Sequence, residues 1–227
     1  MKKYPIIILC LVICAVTCCG CDQRASDVDW TKRVNYYQTA YYCGGVTGLN
    51  VNISVGQQEE TPVIDGNVGK LIPFARLTVV PLTAQYVTPE YTFELTGETG
   101  KISGKLIKEV FGSSFYVDLD KFDSIGAPTS VRVTYGETIA VDIPLADKMA
   151  DKLTYDQALD IAVREYADQL SSDTSDTCVR EISLRFAGDK RNVDNPYYWY
   201  VTIATSPEEY MALLIDSQSG KVITKKS

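Results

Sequence analysis

The 227 residues include no histidine. That absence removes the commonest general base at neutral pH and the commonest zinc ligand. It also removes every Ser-His-Asp or Cys-His arrangement from within this chain. The cysteines fall into two groups. Cys10, Cys14, Cys18, Cys19 and Cys21 crowd the start, and only Cys43 and Cys178 lie beyond. Without an imidazole to activate them, Cys43 and Cys178 are not expected to act as nucleophiles. Two readings stay open for this pair: a disulfide formed outside the cytoplasm, or two buried, unpaired thiols. Asp118-Leu119-Asp120-Lys121-Phe122-Asp123 spaces its acids in the manner of a calcium loop. Such a loop needs Gly at its sixth position and Glu at its twelfth, where this chain has Asp123 and Thr129. The acids therefore read as solvated residues at a strand end. Asp156 and Asp160 stand four apart, as paired carboxylates would, but the start of a helix favours negative charge without any catalytic reason. Tyr197, Tyr198, Trp199 and Tyr200 form the densest aromatic run. On a strand they would alternate between core and surface, and the outward rings could stack on a sugar or peptide. No P-loop, Gly-rich dinucleotide fingerprint or metal cluster is found, so neither an enzyme nor a cofactor is expected.

Charge narrows the partners. The formal charge is −7. Without Lys2 and Lys3 the count is 20 basic against 29 acidic residues, or −9. An acidic chain with no basic stripe is repelled by nucleic-acid phosphates and by anionic lipid headgroups. Attachment to a membrane must then come from something other than charge. The start, MKKYPIIILCLVICAVTCCGCDQ, offers it. Lys2 and Lys3 precede an apolar run from Ile6 to Val16, which is shorter than the ~20 residues a spanning helix needs. Thr17-Cys18-Cys19-Gly20-Cys21 comes immediately after it. This segment resembles a bacterial lipoprotein leader with its lipobox, in which a small residue precedes the cysteine that receives diacylglycerol. The resemblance implies a signal peptide over 1–20 and lipidation of Cys21 after Gly20, with Cys19 as the second reading. Cys18 stands where the pattern has Leu or Val, which leaves the acceptor position open. The implied location is the cell membrane, lipid-anchored, at its extracytoplasmic face.

The elements behind these residues form three segments. Residues 21–45 hold the lipidated Cys, a polar tether and a Tyr-rich stretch with Tyr36, Tyr37, Tyr41 and Tyr42, which either make a first strand or pack on the adjoining domain. Residues 46–146 read as all β. Leu49, Val51, Ile53 and Val55 alternate with polar residues, Leu71 to Pro81 is a long apolar run, and Tyr91 to Leu95 and Phe115 to Leu119 alternate again. Ile102 to Val110 suits a helix by its Lys and Glu but a strand by Gly100 and Gly104. Asp65-Gly66 is a turn signal, and Val131 to Tyr135 with Thr138 to Ile143 suggest a hairpin about Gly136. Six or seven strands at this spacing predict an immunoglobulin-like antiparallel β-sandwich, with a barrel as the alternative. In residues 147–227, Thr154 with Gln157 makes a capping box. Leu159, Ala162, Val163, Tyr166 and Leu170 then extend a helix from about 155 to 170, which the run Ser171 to Asp176 stops. Strands are expected at Ile182 to Phe186, Tyr198 to Ile203, Tyr210 to Ile215 and Lys221 to Thr224, the last two joined by a turn at Asp216 to Gly220.

The segments LTYDQALDIAVREY, YYWYVTI and YMALLIDSQSGKVI resemble the helix and closing sheet of a PepSY-type domain. Trp199, Tyr200, Val201, Ile203, Ile215, Asp216, Ser219, Gly220, Lys221 and Val222 are the most specific part. The resemblance covers about a third of the chain, and the insert from Ala187 to Pro196 departs from a compact version. It implies a PepSY-like helix plus antiparallel sheet there, so that with the immunoglobulin-like sandwich the expected class is mainly β with a small α+β part. It also implies a non-catalytic binding or regulatory module directed at a peptidase or another envelope protein or peptide. The alternative is a surface lipoprotein that captures a small ligand, glycan or peptide.

Overall fold

A computed structural model describes residues 28–63, 67–83, 90–110, 112–136, 139–171, 181–206 and 208–226. The leader, Cys21 and its neighbour Cys19, Cys178, the Asp65-Gly66 turn and the Ser172 to Asp176 stop lie outside these residues. Among the described residues no helix is long and apolar enough to cross a membrane.

The protein is mainly β, built on one large mixed sheet with few helices. Strand β1 (Val34–Val46) and strand β2 (Leu49–Glu59) form a long hairpin, and β2 pairs along its whole length with β3 (Leu71–Pro81). The order continues through β6 (Phe115–Asp118), β5 (Lys101–Lys108), β4 (Tyr91–Gly97), β7 (Pro128–Tyr135) and β8 (Ile139–Pro144). Two residues, β9 (Ala146–Asp147), then pair with β1 at Tyr42 and Cys43, so the path of hydrogen bonds returns to its start. Gly44 permits this return, because a Cβ there would lie 2.0 Å from the Pro144 carbonyl oxygen. Ile102 to Lys108 is strand, as its glycines suggested, and carries the turn of the path between β6 and β4.

The far edge of β1 is shared between two neighbours. Its C-terminal half takes β9. Its N-terminal half takes β10 (Glu181–Ala187) in parallel, from Val34 opposite Ile182 to Tyr37 opposite Leu184. Antiparallel strands β11 (Tyr198–Ala204), β12 (Tyr210–Asp216) and β13 (Val222–Lys226) extend the sheet outward from β10. Helix α1 (Tyr155–Glu165) packs on this part and starts in the capping box of Thr154 with Gln157. The expected helix does not run unbroken to residue 170. Tyr166 leaves helical geometry at φ −111° and ψ 18°, and a short helix α2 (Ala167–Ser171) comes next. The Tyr166 hydroxyl lies 2.7 Å from both the Ala212 and Lys226 carbonyl oxygens, tying the break to β12 and β13.

Two cores result. Leu49, Val51, Ile53, Leu77, Val79, Tyr91, Leu95, Phe115, Val131 and Val133 fill the first, drawn from β2 to β8. Leu159, Ala162, Tyr166, Ile182, Leu184, Phe186, Trp199, Val201 and Ile215 fill the second, between α1 and the outer strands. Val34, Tyr41 and Cys43 belong to the second, so β1 serves both parts of the molecule.

Candidate functional site

Strand alternation sends Ile182, Leu184 and Phe186 of β10 into the second core and leaves Ser183 and Arg185 on the other side. Arg185 is exposed, and its guanidinium carbon stands 4.9 Å from the centre of the Tyr36 ring. On β1, Tyr36 is half-buried and stacks in turn on Phe74 of β3, at 5.0 Å and 26°. A strand lies between those two rings, and it is narrow at the crossing. Gly56 of β2 pairs with Phe74 on one side and with Gln38 on the other. β1 bulges there, and a Cβ at Gly56 would meet the Tyr37 carbonyl at 2.0 Å. The same side of β3 carries Arg76, whose guanidinium stands 4.9 Å over Tyr116 of β6. Arg76 grips Asp118 with two hydrogen bonds, Nε to Oδ1 at 2.7 Å and Nη2 to Oδ2 at 3.0 Å. Asp118 is thus committed to an arginine. The Asp118 carboxylate raises the Arg76 pKa, while burial raises that of the Tyr36 phenol against the lowering pull of Arg185 and Arg76.

These groups border a cleft of about 310 Å³. Its floor includes Glu59, at the end of β2 and only 5% exposed. Glu59 Oε1 accepts the Gly69 N–H, but its Oε2 is buried and has no hydrogen-bond partner among the described residues. Asn35 lines the same cleft. Its amide N–H donates to Glu181 Oε2, and its own Oδ1 is buried without a partner. Ser54, Gln58 and Ser183 add further polar atoms. The arrangement offers half-buried polar groups, aromatic rings and, among the described residues, one guanidinium without a carboxylate, that of Arg185. A second, larger cleft of about 560 Å³ lies between the turn at Val28 to Thr31 and α1, against Leu159 and Val163.

The aromatic run expected to supply a surface divides in two. Trp199 is fully buried in the second core, and its indole N–H donates to the Leu153 carbonyl at 2.8 Å. Tyr197 stacks on Phe186 at 5.4 Å and 6°, donates to the Val193 carbonyl at 3.0 Å and touches Cys43 Sγ at 2.9 Å. Only Tyr198 and Tyr200 are left on the outer side of β11, both half-buried. Tyr200 is the direct cross-strand neighbour of Arg185, so it extends the row of aromatic and arginine side chains. Cys43 is a buried free thiol whose pKa is pushed up by burial. Cys178, its partner in one of the two open readings, lies outside the described residues. Among the described residues no group of three or more His, Cys, Asp or Glu side chains could hold a metal ion.

Sequence reasoning singled out Tyr36 and Tyr200 but missed Phe74, Arg76, Arg185, Asn35 and Glu59. Arg76 was the readable signal, a lone charge inside the apolar strand LIPFARLTVVP. Arg185 could have been found from the same alternation that placed Ile182, Leu184 and Phe186 in the core. No family model matches the chain, and no curated protein or solved structure matches it significantly.

Proposed function

We propose that this chain is a lipid-anchored, extracytoplasmic binding module without catalytic activity, which meets an envelope protein or peptide through the outer side of β10, β1 and β3. The leader resemblance supports the anchor at Cys21, or at Cys19. The first core, wrapped by β2 to β8, supports the antiparallel immunoglobulin-like sandwich, and the return of β9 to β1 favours its closed, barrel-like form. Helix α1 on β10 to β13 supports the PepSY-like part, and with it a peptidase or other envelope protein as partner.

One observation carries the functional reading: the row Tyr200, Arg185, Tyr36, Phe74, Arg76 and Tyr116 on neighbouring strands, in which Arg185 stands over Tyr36, Tyr36 stacks on Phe74 and Arg76 stands over Tyr116 before any partner arrives. Tyr and Arg dominate the energetics of protein interfaces. Fixing them in advance lowers the entropy cost of binding. The capture of a small ligand is the second reading, favoured by the cleft of about 310 Å³ with its polar lining. Two experiments test the proposal. Mass spectrometry of the mature N terminus should find diacylglyceryl on Cys21 or Cys19, and an unmodified terminus elsewhere contradicts the anchor. Chemical crosslinking in whole envelopes should trap one discrete adduct that Arg185→Ala and Tyr36→Ala both abolish while circular dichroism stays unchanged. An adduct that persists in both variants contradicts the binding face.

A further inference from the structure

We infer that the cleft between β1, β2 and β10 is a subsite for the carboxyl end of a peptide, with Arg185 holding the terminal carboxylate. The inference rests on reading this side of the sheet as the binding face. The molecule contains its own template for the missing group. Arg76 and Arg185 are each stacked on a tyrosine at 4.9 Å. Arg76 has a carboxylate in its fork, Asp118 at 2.7 and 3.0 Å. Arg185 is built the same way and exposed, yet has no carboxylate or other acceptor among the described residues. A guanidinium stacked by its face leaves its N–H edge free for a planar two-oxygen partner.

The other end of the cleft specifies the rest of the ligand. Ser54, Gln58 and Ser183, all only half-buried, line it with side-chain oxygens that accept N–H groups. A peptide terminus supplies a carboxylate and, within one residue of it, backbone N–H donors. A cleft of about 310 Å³ has room for a residue or two, not for a folded element. Overall charge argues against a polyacidic ligand. The protein is itself at −7, so a strongly acidic ligand would be repelled at long range, whereas a single terminal charge is not.

The test uses the intact mature chain in detergent with fluorescein-labelled Ala-Ala-Ala as probe, read by anisotropy. The free acid should bind at least about tenfold more tightly than its carboxamide, the scale of one charge-assisted bidentate contact. Arg185→Gln should bring the acid down to the level of the amide, and Gln58→Ala should weaken both. Near-ultraviolet circular dichroism checks that each variant is folded, and Arg132→Gln, on β7 and away from the cleft, serves as the control. Equal binding of acid and amide overturns the inference. So does Ala-Glu-Ala carboxamide binding as tightly as the free acid, which would assign Arg185 to an acidic side chain. Absence of peptide binding at millimolar concentration also overturns it. In each of these cases the envelope crosslink decides separately whether the face itself binds a partner.

Discussion

Trp199 and Cys43 show what single residues contribute in the second core. The Trp199 ring is fully buried, and its one polar atom is used on Leu153. Trp199→Phe keeps an aromatic ring but leaves that carbonyl without its donor, at a cost of about 1–3 kcal/mol. The expected result is a lower urea midpoint with an unchanged m-value. Cys43 is 2% exposed, and burial raises its thiol pKa, so the thiolate is scarce and unreachable in the folded state. Iodoacetamide at pH 8 should leave the Cys43 peptide unmodified in the native protein and label it fully in denaturant. Fast labelling of the native protein would show that this core opens. Trp199 sits in a segment legible as strand, whereas the Tyr-rich stretch that holds Cys43 left strand and packing on the adjoining domain both open. The contacts are not legible, because Tyr197 meets Cys43 across 154 positions of sequence and Leu153 meets Trp199 across 46.

Elements were legible where the determinants are local. The capping box of Thr154 and Gln157 begins α1, and Pro81 marks the end of β3. Thr154→Ala removes the acceptor of the Gln157 N–H and should cost about 1 kcal/mol, seen as a lower melting temperature with the sheet signal retained. Elements were misjudged where distant chain intervenes. The helix breaks at Tyr166, and its hydroxyl reaches carbonyls on β12 and β13 that no local pattern reveals. The bulges of β1 between Val34 and Tyr36, and between Gln38 and Ala40, are equally invisible to a period of two. The binding row depends on such features, since Gly56 at the second bulge lies in the strand that separates Tyr36 from Phe74.

At the scale of the molecule, ionisation is set by tyrosine. Burial is the leading cause that raises the pKa of Tyr36, Tyr41, Tyr42, Tyr155, Tyr166 and Tyr197 above the ordinary 10.0. A group whose folded pKa is raised stabilises the fold below its unfolded value and loses that contribution as pH rises through the folded one. Asp216 is shifted the opposite way, held below 3.8 by the Ser219 hydroxyl, so its contribution persists until pH falls below about 4. With no histidine, nothing of that type titrates between. The stability of the folded chain should form a plateau from about pH 5 to 8.5 and fall steeply above about pH 10. Urea midpoints measured across pH would show this, and a marked transition near pH 6.5 would contradict it. The mainly β class and the helix-bearing last third were legible in the pattern of the chain. The parallel pairing of β1 with β10 was not, because it joins residues nearly 150 apart and carries no local mark.

The binding face can be tested directly by placing a photoreactive amino acid at Ser183, which pairs with Tyr36 and lines the cleft beside Arg185. Irradiation of intact cells should give one discrete adduct from this position. It should vanish when Arg185→Gln is added, and a control position at Thr224 on β13 should give none. An adduct unaffected by Arg185→Gln, or crosslinking from Thr224 alone, would contradict the assignment of this face.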